Sequence, residues 1–462
     1  MAKQDAQERL HYLTTAPIPA LIRKMSLPTI VSMLVTSFYN LVDTAFVGRI
    51  DTQSTAAVGV AFSAMALIQA VSFLFGHGSG NYLSRRLGAG DFDDAERMAA
   101  TGFFSVLAVG LLMAVLGTVF VRPISVLLGS TETILPYTVQ YLRVIFLGAP
   151  FIMGSFVLNN HMRFQGSASI AMIGIVTGAV LNIALDPLLI FGLNMGVEGA
   201  AIATVLSQVV SFFLLLGLNL KRAAIRVSVK KITLRWHYFK HMFLGGIPSL
   251  CRQGIGSVAT ILLNFAAKNW GGASADAAIA AMGIVSRITM FAYSALIGFG
   301  QGFQPVCGTN YGAGRCTRVR AAFYYCVRLG AIVLAALSVL GVAFARPLLQ
   351  LFRDDPEVIE IGVTALRAQS LVFPLNVYVI MGTMLLQTIG MAGRASVVTL
   401  ARQGIFFLPA ILILPLLFGL FGVQIAQAAA DVLSFFLAIP LCRPVLKSMT
   451  VDRPPLAEKG ST

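Results

Sequence analysis

The sequence has 462 residues, of which 57% are hydrophobic and only 11% are charged, and its mean hydropathy is +0.82. Soluble domains carry about 25% charged residues, so this composition excludes a water-soluble fold. The net charge of +15 would suggest nucleic-acid binding in a soluble protein. In a membrane protein, an excess of lysine and arginine is first explained by their accumulation in the loops on the cytoplasmic side.

The chain begins with a basic segment, residues 1–25, that has no apolar core, so we expect a cytoplasmic segment rather than a cleaved signal peptide. Twelve apolar stretches follow, each long enough to cross a hydrocarbon core of about 30 Å as a helix. The predicted spans are 26–48, 54–76, 98–121, 138–160, 168–192, 197–220, 242–268, 276–302, 321–344, 361–385, 398–420 and 422–442. The expected parts are an N-terminal six-helix bundle (26–220), a basic cytoplasmic connector (221–241), a C-terminal six-helix bundle (242–442) and a cytoplasmic tail (443–462).

Lysine and arginine residues fall mainly on one side of the predicted bundles, and this set includes Arg163 and Arg402. The opposite side receives only Arg49, Arg122, Lys268, Arg346 and Arg353. By the positive-inside rule the richer side is cytoplasmic, and both termini lie inside. Topology therefore accounts for the basic charge, and no nucleic-acid partner is expected.

The two halves of the chain resemble each other. A shift of 224 positions, which takes Gly76 onto Gly300, also aligns Gly88-Ala89-Gly90 with Gly312-Ala313-Gly314. Because each half contains an even number of spans, both halves enter the membrane in the same orientation. The sequence thus predicts an all-α membrane protein whose two six-helix bundles are related by a pseudo-two-fold axis along the membrane normal. Such pairs of bundles are typical of alternating-access transporters.

Acidic residues inside the predicted spans are the sharpest chemical signal, since a charge at the bilayer centre costs at least about 2.5 to 3.5 kcal/mol. Asp43 lies in span 1, where it shares one helical face with Thr36, Tyr39 and Asn40.

A second acid lies in span 5. Asn182 and Asp186 are four residues apart, hence on one helical face, and Pro187 frees a backbone carbonyl nearby. Further polar residues are Tyr141, Ser155 and Asn159 in span 4 and Thr204, Gln208 and Ser211 in span 6.

Together these side chains predict a polar pocket inside the N-terminal bundle. Two carboxylates with neutral oxygens suit either a sodium ion or a shared proton. The alternative is that the polar groups only cross-link helices.

Motifs for other chemistries are absent from the sequence. There is no P-loop and no H-E-x-x-H pattern, so we expect no enzyme activity and an energy source other than ATP. The Gly-rich run 75–80 indicates close helix packing, with His77 as a packing or gating residue. The five cysteines are scattered and are expected to be packing residues.

The chain resembles members of the multidrug and toxic compound extrusion (MATE) family over nearly its whole length. The stretches that carry the resemblance are Phe38 to Gly48, Leu83 to Gly90 and Asn182 to Pro187, and they are most similar to the prokaryotic branch typified by the DNA-damage-inducible transporter. The resemblance implies a cation site, with Na⁺ as one candidate ion, at Asp43, Asn182, Asp186 and Thr204. It also implies a hinge at Pro28. The supporting polar network is expected to comprise Thr36, Tyr39, Asn40, Tyr141, Asn159 and Asn160.

The C-terminal bundle departs from the other bacterial branch of this family, because span 7 has no Asp or Glu between Leu250 and Ala267. Asp431 in span 12 remains a second candidate for a protonatable or substrate-contacting group. Alternatively, Asp431 forms an ion pair with an arginine inside the membrane, such as Arg252.

The predicted function is a secondary antiporter of the inner membrane, which exports amphipathic, cationic organic compounds in exchange for inward Na⁺ or H⁺. It is expected to be a monomer surrounded by lipid, to take small-molecule drugs and to need no cofactor. The main alternative is a lipid-linked saccharide flippase, in which Arg252 and Arg287 would line a cationic cavity. A major-facilitator carrier is disfavoured, because residues 80–90 lack its acidic and basic signature.

Overall fold

A computed structural model describes residues 2–456, and most of them are α-helical, with no strand within that range. The helices of the first half are α1 (Ala2–Thr15), α2 (Ile18–Val47), α3 (Thr52–Ala89), α4 (Phe92–Val119), α5 (Val121–Leu127), α6 (Leu135–Phe164), α7 (Ala168–Pro187) and α8 (Gly196–Arg222). Those of the second half are α9 (Trp236–Trp270), α10 (Ala275–Gly312), α11 (Cys316–Ala343), α12 (Ala345–Gln350), α13 (Pro356–Thr388), α14 (Ala392–Leu400), α15 (Phe407–Phe418) and α16 (Leu420–Ser448). Residues 457–462 of the predicted tail lie outside the described residues.

The twelve predicted spans correspond to α2, α3, α4, α6, α7 and α8 in the first half and to α9, α10, α11, α13, α14 with α15, and α16 in the second. Within residues 2–456, eleven helical segments are long and apolar enough to cross a membrane. The exception among the twelve is α9, which carries Lys240, Arg252 and Gln253. The all-α fold is confirmed.

Several helices extend beyond the predicted spans. Both α3 and α10 have 38 residues, because the helix continues after the apolar stretch ends. The N-terminal segment, expected only as a basic stretch before span 1, contains α1, and α2 begins at Ile18 instead of residue 26. A proline in the first turn of α2 favours this early start, since the first helical N–H groups need no partner.

The internal repeat is visible in the short helices and in the closest helix contacts. Under the shift of 224 positions, α5 falls on α12. A Cβ atom added at Gly88 would lie 2.0 Å from the carbonyl oxygen of Thr309, and one added at Gly312 would lie 1.9 Å from that of Arg85. Because Arg85 and Gly88 are the repeat partners of Thr309 and Gly312, these two contacts are images of each other across the pseudo-two-fold axis.

The two halves approach each other most closely toward the end that carries both termini, where α3 packs against α9 and α10, and α2 packs against α10. Glycines at this interface allow backbone to touch backbone, as at Gly78 beside Met242 and Gly302 beside Ser26. This confirms the close packing expected for the Gly-rich run. His77 is buried there and stacks on Phe73 with ring centroids 5.0 Å apart.

Hydrogen bonds also join the halves at this end. Arg163 was expected in a cytoplasmic loop, and that expectation is wrong, because it is buried in α6. Its guanidinium donates to the Gln301 carbonyl at 2.8 Å and to the Gln304 amide oxygen at 3.1 Å. Arg85 similarly donates to the carbonyl of Thr388.

Candidate functional site

The two acids predicted for the N-terminal bundle lie side by side. Asp43 on α2 and Asp186 near the end of α7 lie close enough for their carboxyl groups to interact. Asp186 is fully buried, and the Asn182 amide donates to its Oδ1 at 3.2 Å. The structure therefore brings three of the four predicted cation-site residues into one cluster.

Several oxygen atoms of this cluster are not used in hydrogen bonds. Oδ1 of Asp43, Oδ1 of Asn182 and Oδ2 of Asp186 are buried and have no hydrogen-bond partner. A buried acceptor without a partner costs roughly 1 to 3 kcal/mol, and more when it is charged. Such atoms can each accept a proton or coordinate a cation. Oxygen donors of this kind suit a hard cation, and the described residues contain no group of three His, Cys, Asp or Glu side chains suited to a metal ion.

Local helix geometry explains why Asp186 can occupy this position. Pro187 is the last residue of α7, and the chain continues as a single π-helical turn at Leu188–Gly192. Proline lacks the N–H for an intrahelical bond, and π-helical turns often occur at functional sites because they redirect side chains.

Two further predicted residues adjoin the acids. The buried Tyr141 on α6 lies near both carboxyl groups and near Thr204 on α8. Its own hydroxyl donates to the Met65 sulfur at 3.5 Å. Tyr39 also lies close to both acids. Thr204 therefore joins the site through Tyr141.

The remaining network residues are bonded elsewhere. The Thr36 hydroxyl donates to the carbonyl of Ser32 in its own helix. The Asn159 amide donates to the Ala171 carbonyl at 2.8 Å, and the Asn160 amide donates to the Phe156 carbonyl at 2.8 Å. These side chains support the walls around the acids rather than the acids themselves.

Two adjoining cavities lie beside the acid cluster, with about 590 and 580 Å³ of empty space. Tyr39, Phe156 and Gln208 line both of them. The sequence pointed to Asn159, Asn160 and Gln208 here, but not to the aromatic and methionine lining, because apolar residues carry no distinguishing signal in a membrane span.

The first of these cavities has polar and apolar walls from several helices. Its lining residues are Met33, Thr36, Tyr39, Phe73, Ser155, Phe156, Asn159, Asn160, Ile175, Gly178, Ala179, Gln208, Ser211 and Gln301. The second borders the acid cluster through Asn40 and Thr204.

Asp431, the acid of the C-terminal bundle, has its acceptors occupied. Its Oδ1 accepts from Arg402 Nε at 2.9 Å and from the Gln427 amide at 2.8 Å. Its Oδ2 accepts from the Tyr293 hydroxyl and the Asn376 amide, both at 2.8 Å. The side chain is buried, so this is an ion pair inside the membrane domain.

The ion pair corrects two expectations. Asp431 is paired with Arg402 rather than with Arg252. Arg402 was assigned to a cytoplasmic loop, but it lies within the span, in the π-helical turn Ala401–Ile405 between α14 and α15. Its guanidinium carbon also lies 3.9 Å from the centre of the Tyr293 ring. A hydropathy pattern favours a loop position for any arginine, and for this reason Arg402 was placed outside the span. The pattern contains no information on its partner Asp431, which lies 29 residues away in the sequence.

Pro28, the predicted hinge, lies inside the continuous helix α2. The Ser32 hydroxyl donates back to the Pro28 carbonyl at 2.8 Å, and Thr29 donates to the Ser26 carbonyl at 2.9 Å. Hydroxyl groups that bond to preceding carbonyls weaken the helix locally and favour bending. This segment of α2 therefore has the chemistry of a bend point.

Comparison with known proteins shows the family. The MatE family model matches residues 28–188 and again 254–413, one match in each half. The Multidrug export protein MepA of Staphylococcus haemolyticus is 28% identical over 453 residues, covering 98% of this chain and 99% of the relative.

Solved structures agree with this assignment. One, described as the outward-facing conformation of a multidrug resistance MATE family transporter of the MOP superfamily, has a TM-score of 0.90 and 25% identity, covering 95% of this chain and 98% of that one. Another, a MATE structure in the bent conformation, has a TM-score of 0.88 and 25% identity, with 96% and 98% covered. The chain belongs to the MATE family, and it is a multi-pass membrane transporter rather than an enzyme.

Proposed function

We propose that this transporter is a secondary active multidrug efflux antiporter, which exports amphipathic organic cations in exchange for inward Na⁺ or H⁺. The observation that supports it best is the contact between Asp43 and Asp186, with oxygen atoms that have no hydrogen-bond partner. An acid pair of this kind binds a proton or a cation and releases it when its surroundings change. The multidrug export activity named for the MepA relative supports the same proposal.

The coupling ion would be held by the Asp43 and Asp186 carboxylates, with the amide oxygen of Asn182 and the hydroxyl of Thr204 nearby. These oxygen ligands fit sodium, and the carboxyl pair alone fits a proton. Either ion would neutralise charge that is costly inside a membrane.

Tyr39 provides a physical link between the ion and the exported compound. It lies beside both acids and lines both cavities, so movement of α2 changes the two sites together. In this mechanism, ion binding favours bending of α2 near Pro28, which narrows the cavities and expels the compound. Linkage requires that the ion and the compound disfavour each other's binding to the same extent.

The orientation follows from the distribution of basic residues. We infer that the termini are cytoplasmic, that the membrane is the inner membrane and that the protein acts as a monomer. With this orientation the halves pack together on the cytoplasmic side, which would make the arrangement outward-open. In that state Asp43, which is only partly buried, lies closer to solvent than the fully buried Asp186.

The flippase alternative has less support. It requires a cavity lined by both Arg252 and Arg287, and within residues 2–456 Arg252 lines a cavity whereas Arg287 is exposed on α10.

Replacing Asp43 or Asp186 by Asn tests the proposed coupling site. Each variant is expected to lose ethidium uptake into inverted vesicles, whose cytoplasmic face is outside, by roughly tenfold or more, because coupling between sites in such proteins is worth about 5- to 150-fold. Imposing a sodium gradient in one set of vesicles and a pH gradient in another identifies the ion.

Asp276→Asn is the matched control, since this carboxylate is exposed in the first turn of α10 and away from the cluster. It is expected to transport at the wild-type rate. Full efflux by both cluster variants at equal expression would contradict the coupling site.

A further inference from the structure

The C-terminal bundle contains a cavity of its own, with about 470 Å³ of empty space, that the proposed cation exchange does not use. Its polar wall includes Arg252 on α9, Arg402 and Gln403 in the π-helical turn, and Thr399 on α14. The opposite wall is apolar and includes Met384. Two arginines therefore face a cavity in a bundle without an acidic ion site.

The charges on this wall do not cancel. The charge of Arg402 is balanced by Asp431, which accepts its Nε–H at 2.9 Å. Arg252 is only partly buried, and its guanidinium has no hydrogen bond or ion pair with any described residue. The wall therefore carries one unpaired positive charge.

The groups that face Arg252 add no negative charge. Arg163 on α6 and His77 on α3 lie close enough to interact with its charge, and neither is an acid. Arg163 is itself bonded to the neutral oxygens of Gln301, Gln304 and Asn160. The potential near Arg252 thus has positive contributions from Arg163 on α6 and from Arg252 itself on α9, whereas the buried His77 adds no negative charge.

The donors that remain free also favour an anion. The Thr399 hydroxyl donates to the Ala395 carbonyl at 2.8 Å, so its hydrogen is used within its own helix. The guanidinium of Arg252 and the amide of Gln403 have N–H donors that bond to no described residue, whereas Arg402 already donates through Nε to Asp431. Guanidinium groups bind carboxylate and phosphate oxygens in a bidentate geometry.

We propose that this cavity binds the anionic group of an amphipathic compound, with Arg252 as the counter-charge, the Gln403 amide as a second donor and the apolar wall against the hydrocarbon part. One unpaired cation matches one negative charge, so a monocarboxylate fits best, and a lipid phosphate has the same chemistry. This inference rests on the proposed efflux function. It widens the range of exported compounds from cations to compounds that carry an acidic group.

Direct binding tests this site without any ion gradient. The full-length protein in phosphatidylcholine nanodiscs is titrated with 1-pyrenebutyrate and with its uncharged methyl ester, and binding is followed by pyrene fluorescence. The wild type is expected to prefer the carboxylate by roughly tenfold, as one charge-assisted contact is worth about that factor. Arg252→Gln should abolish the preference, and Arg252→Lys, which keeps the charge, should retain most of it.

The matched control is Arg287→Gln, which removes an equal charge from an exposed position outside the cavity and should keep the wild-type preference. The proposal is overturned if the wild type does not prefer the carboxylate, if Arg252→Gln keeps the preference, or if Arg287→Gln loses it equally.

Repeating the titration with phosphatidylglycerol in the nanodisc separates the two possible occupants of the site. Displacement of the probe identifies a lipid phosphate as the occupant, and persistence of binding identifies a carboxylate compound. If wild-type vesicles export ethidium but show no carboxylate preference, only the anion site fails. If no compound is exported while the preference holds, the efflux proposal fails instead.

Discussion

At the scale of single residues, the two halves treat their buried acids in opposite ways. Asp43 and Asp186 share a site with acceptor oxygens that have no partner, whereas Asp431 accepts four hydrogen bonds, one of them from Arg402. A carboxylate with occupied acceptors and an ion-pair partner is poorly suited to binding a mobile cation. The C-terminal acid therefore acts as a fixed part of the structure.

The sequence predicted the first pair because acids are rare in membrane spans and because Asn182 and Asp186 are four residues apart in one helix. It could not predict the second pair, since Arg402 was placed in a loop and nothing in the sequence chooses among the arginines near the spans as the partner of Asp431. For the same reason, contacts such as that of Arg163 with Gln301 had no signal in the chain.

The Asp431 pair makes a testable prediction about stability. Asp431→Leu leaves the Arg402 charge buried without its partner and is expected to lower the stability by about 3 kcal/mol. The double variant Arg402→Met with Asp431→Leu removes both charges and should recover most of that loss. Thermal unfolding can be followed with a thiol-reactive dye, because Cys307, Cys326 and Cys442 are buried in the fold.

The single variant Arg402→Met completes the double-mutant cycle. If the two single losses simply add in the double variant, Arg402 and Asp431 do not interact as the structure indicates.

At the scale of helices, apolar length was sufficient to predict twelve spans, but not the details that give them function. The π-helical turns Leu188–Gly192 and Ala401–Ile405 have no hydropathy signal, because they lie inside continuous apolar stretches. Each turn nevertheless lies at a buried ionisable side chain. The first turn begins two residues after Asp186, and the second contains Arg402. The ends of α3 and α10 were placed too early, since a helix does not stop where the hydrocarbon does.

Helix α2 combines the acid Asp43 with the bend point at Pro28, so its stiffness should affect transport. In Pro28→Ala the new N–H can bond to the carbonyl of Lys24, and an interior proline costs a helix about 3 kcal/mol. The variant is expected to unfold at a higher temperature and to export ethidium more slowly. The two measurements on one sample separate stiffening from misfolding.

Pro374→Ala offers a comparison, because this proline lies inside α13 of the other half, away from the acid pair. It should leave efflux unchanged. A wild-type efflux rate in Pro28→Ala would rule out bending at this residue as part of the cycle.

At the scale of the whole molecule, the repeat detected in the sequence appears as a pair of symmetric contacts, Gly88 with Thr309 and Gly312 with Arg85. The family model matches each half once, which agrees with this symmetry. The repeat alone could not say which end of the transporter is closed, because the same two bundles can pack at either end. That choice is made by the tertiary contacts, not by the period of the sequence.

A larger side chain at the symmetric contact should prevent the halves from closing. Gly88→Val would place its Cβ within 2.0 Å of the Thr309 carbonyl oxygen, and backbone cannot yield there easily. We expect efflux to be lost and hydrogen exchange to rise over residues 300–312. Gly59→Val in the same helix is the control, since a Cβ at Gly59 meets no atom within 4 Å, and it should behave as wild type. Equal activity of the two variants would show that this contact does not form during transport.

The way the closed end is held has a consequence for how the transporter responds to salt. Among the described residues, no ion pair joins α2 or α3 to α9 or α10. Glycine contacts and hydrogen bonds between neutral groups, such as those from Ser26 and Thr29 to carbonyls of α10, hold these helices together. Screening shortens the Debye length from about 30 Å at 0.01 M to about 3 Å at 1 M, and it weakens charge pairs far more than buried contacts between neutral groups. Opening and closing should therefore have a nearly constant rate when choline chloride is added at a fixed coupling-ion gradient, which stopped-flow efflux measures. A steep fall with ionic strength would mean that charges outside this interface control the cycle.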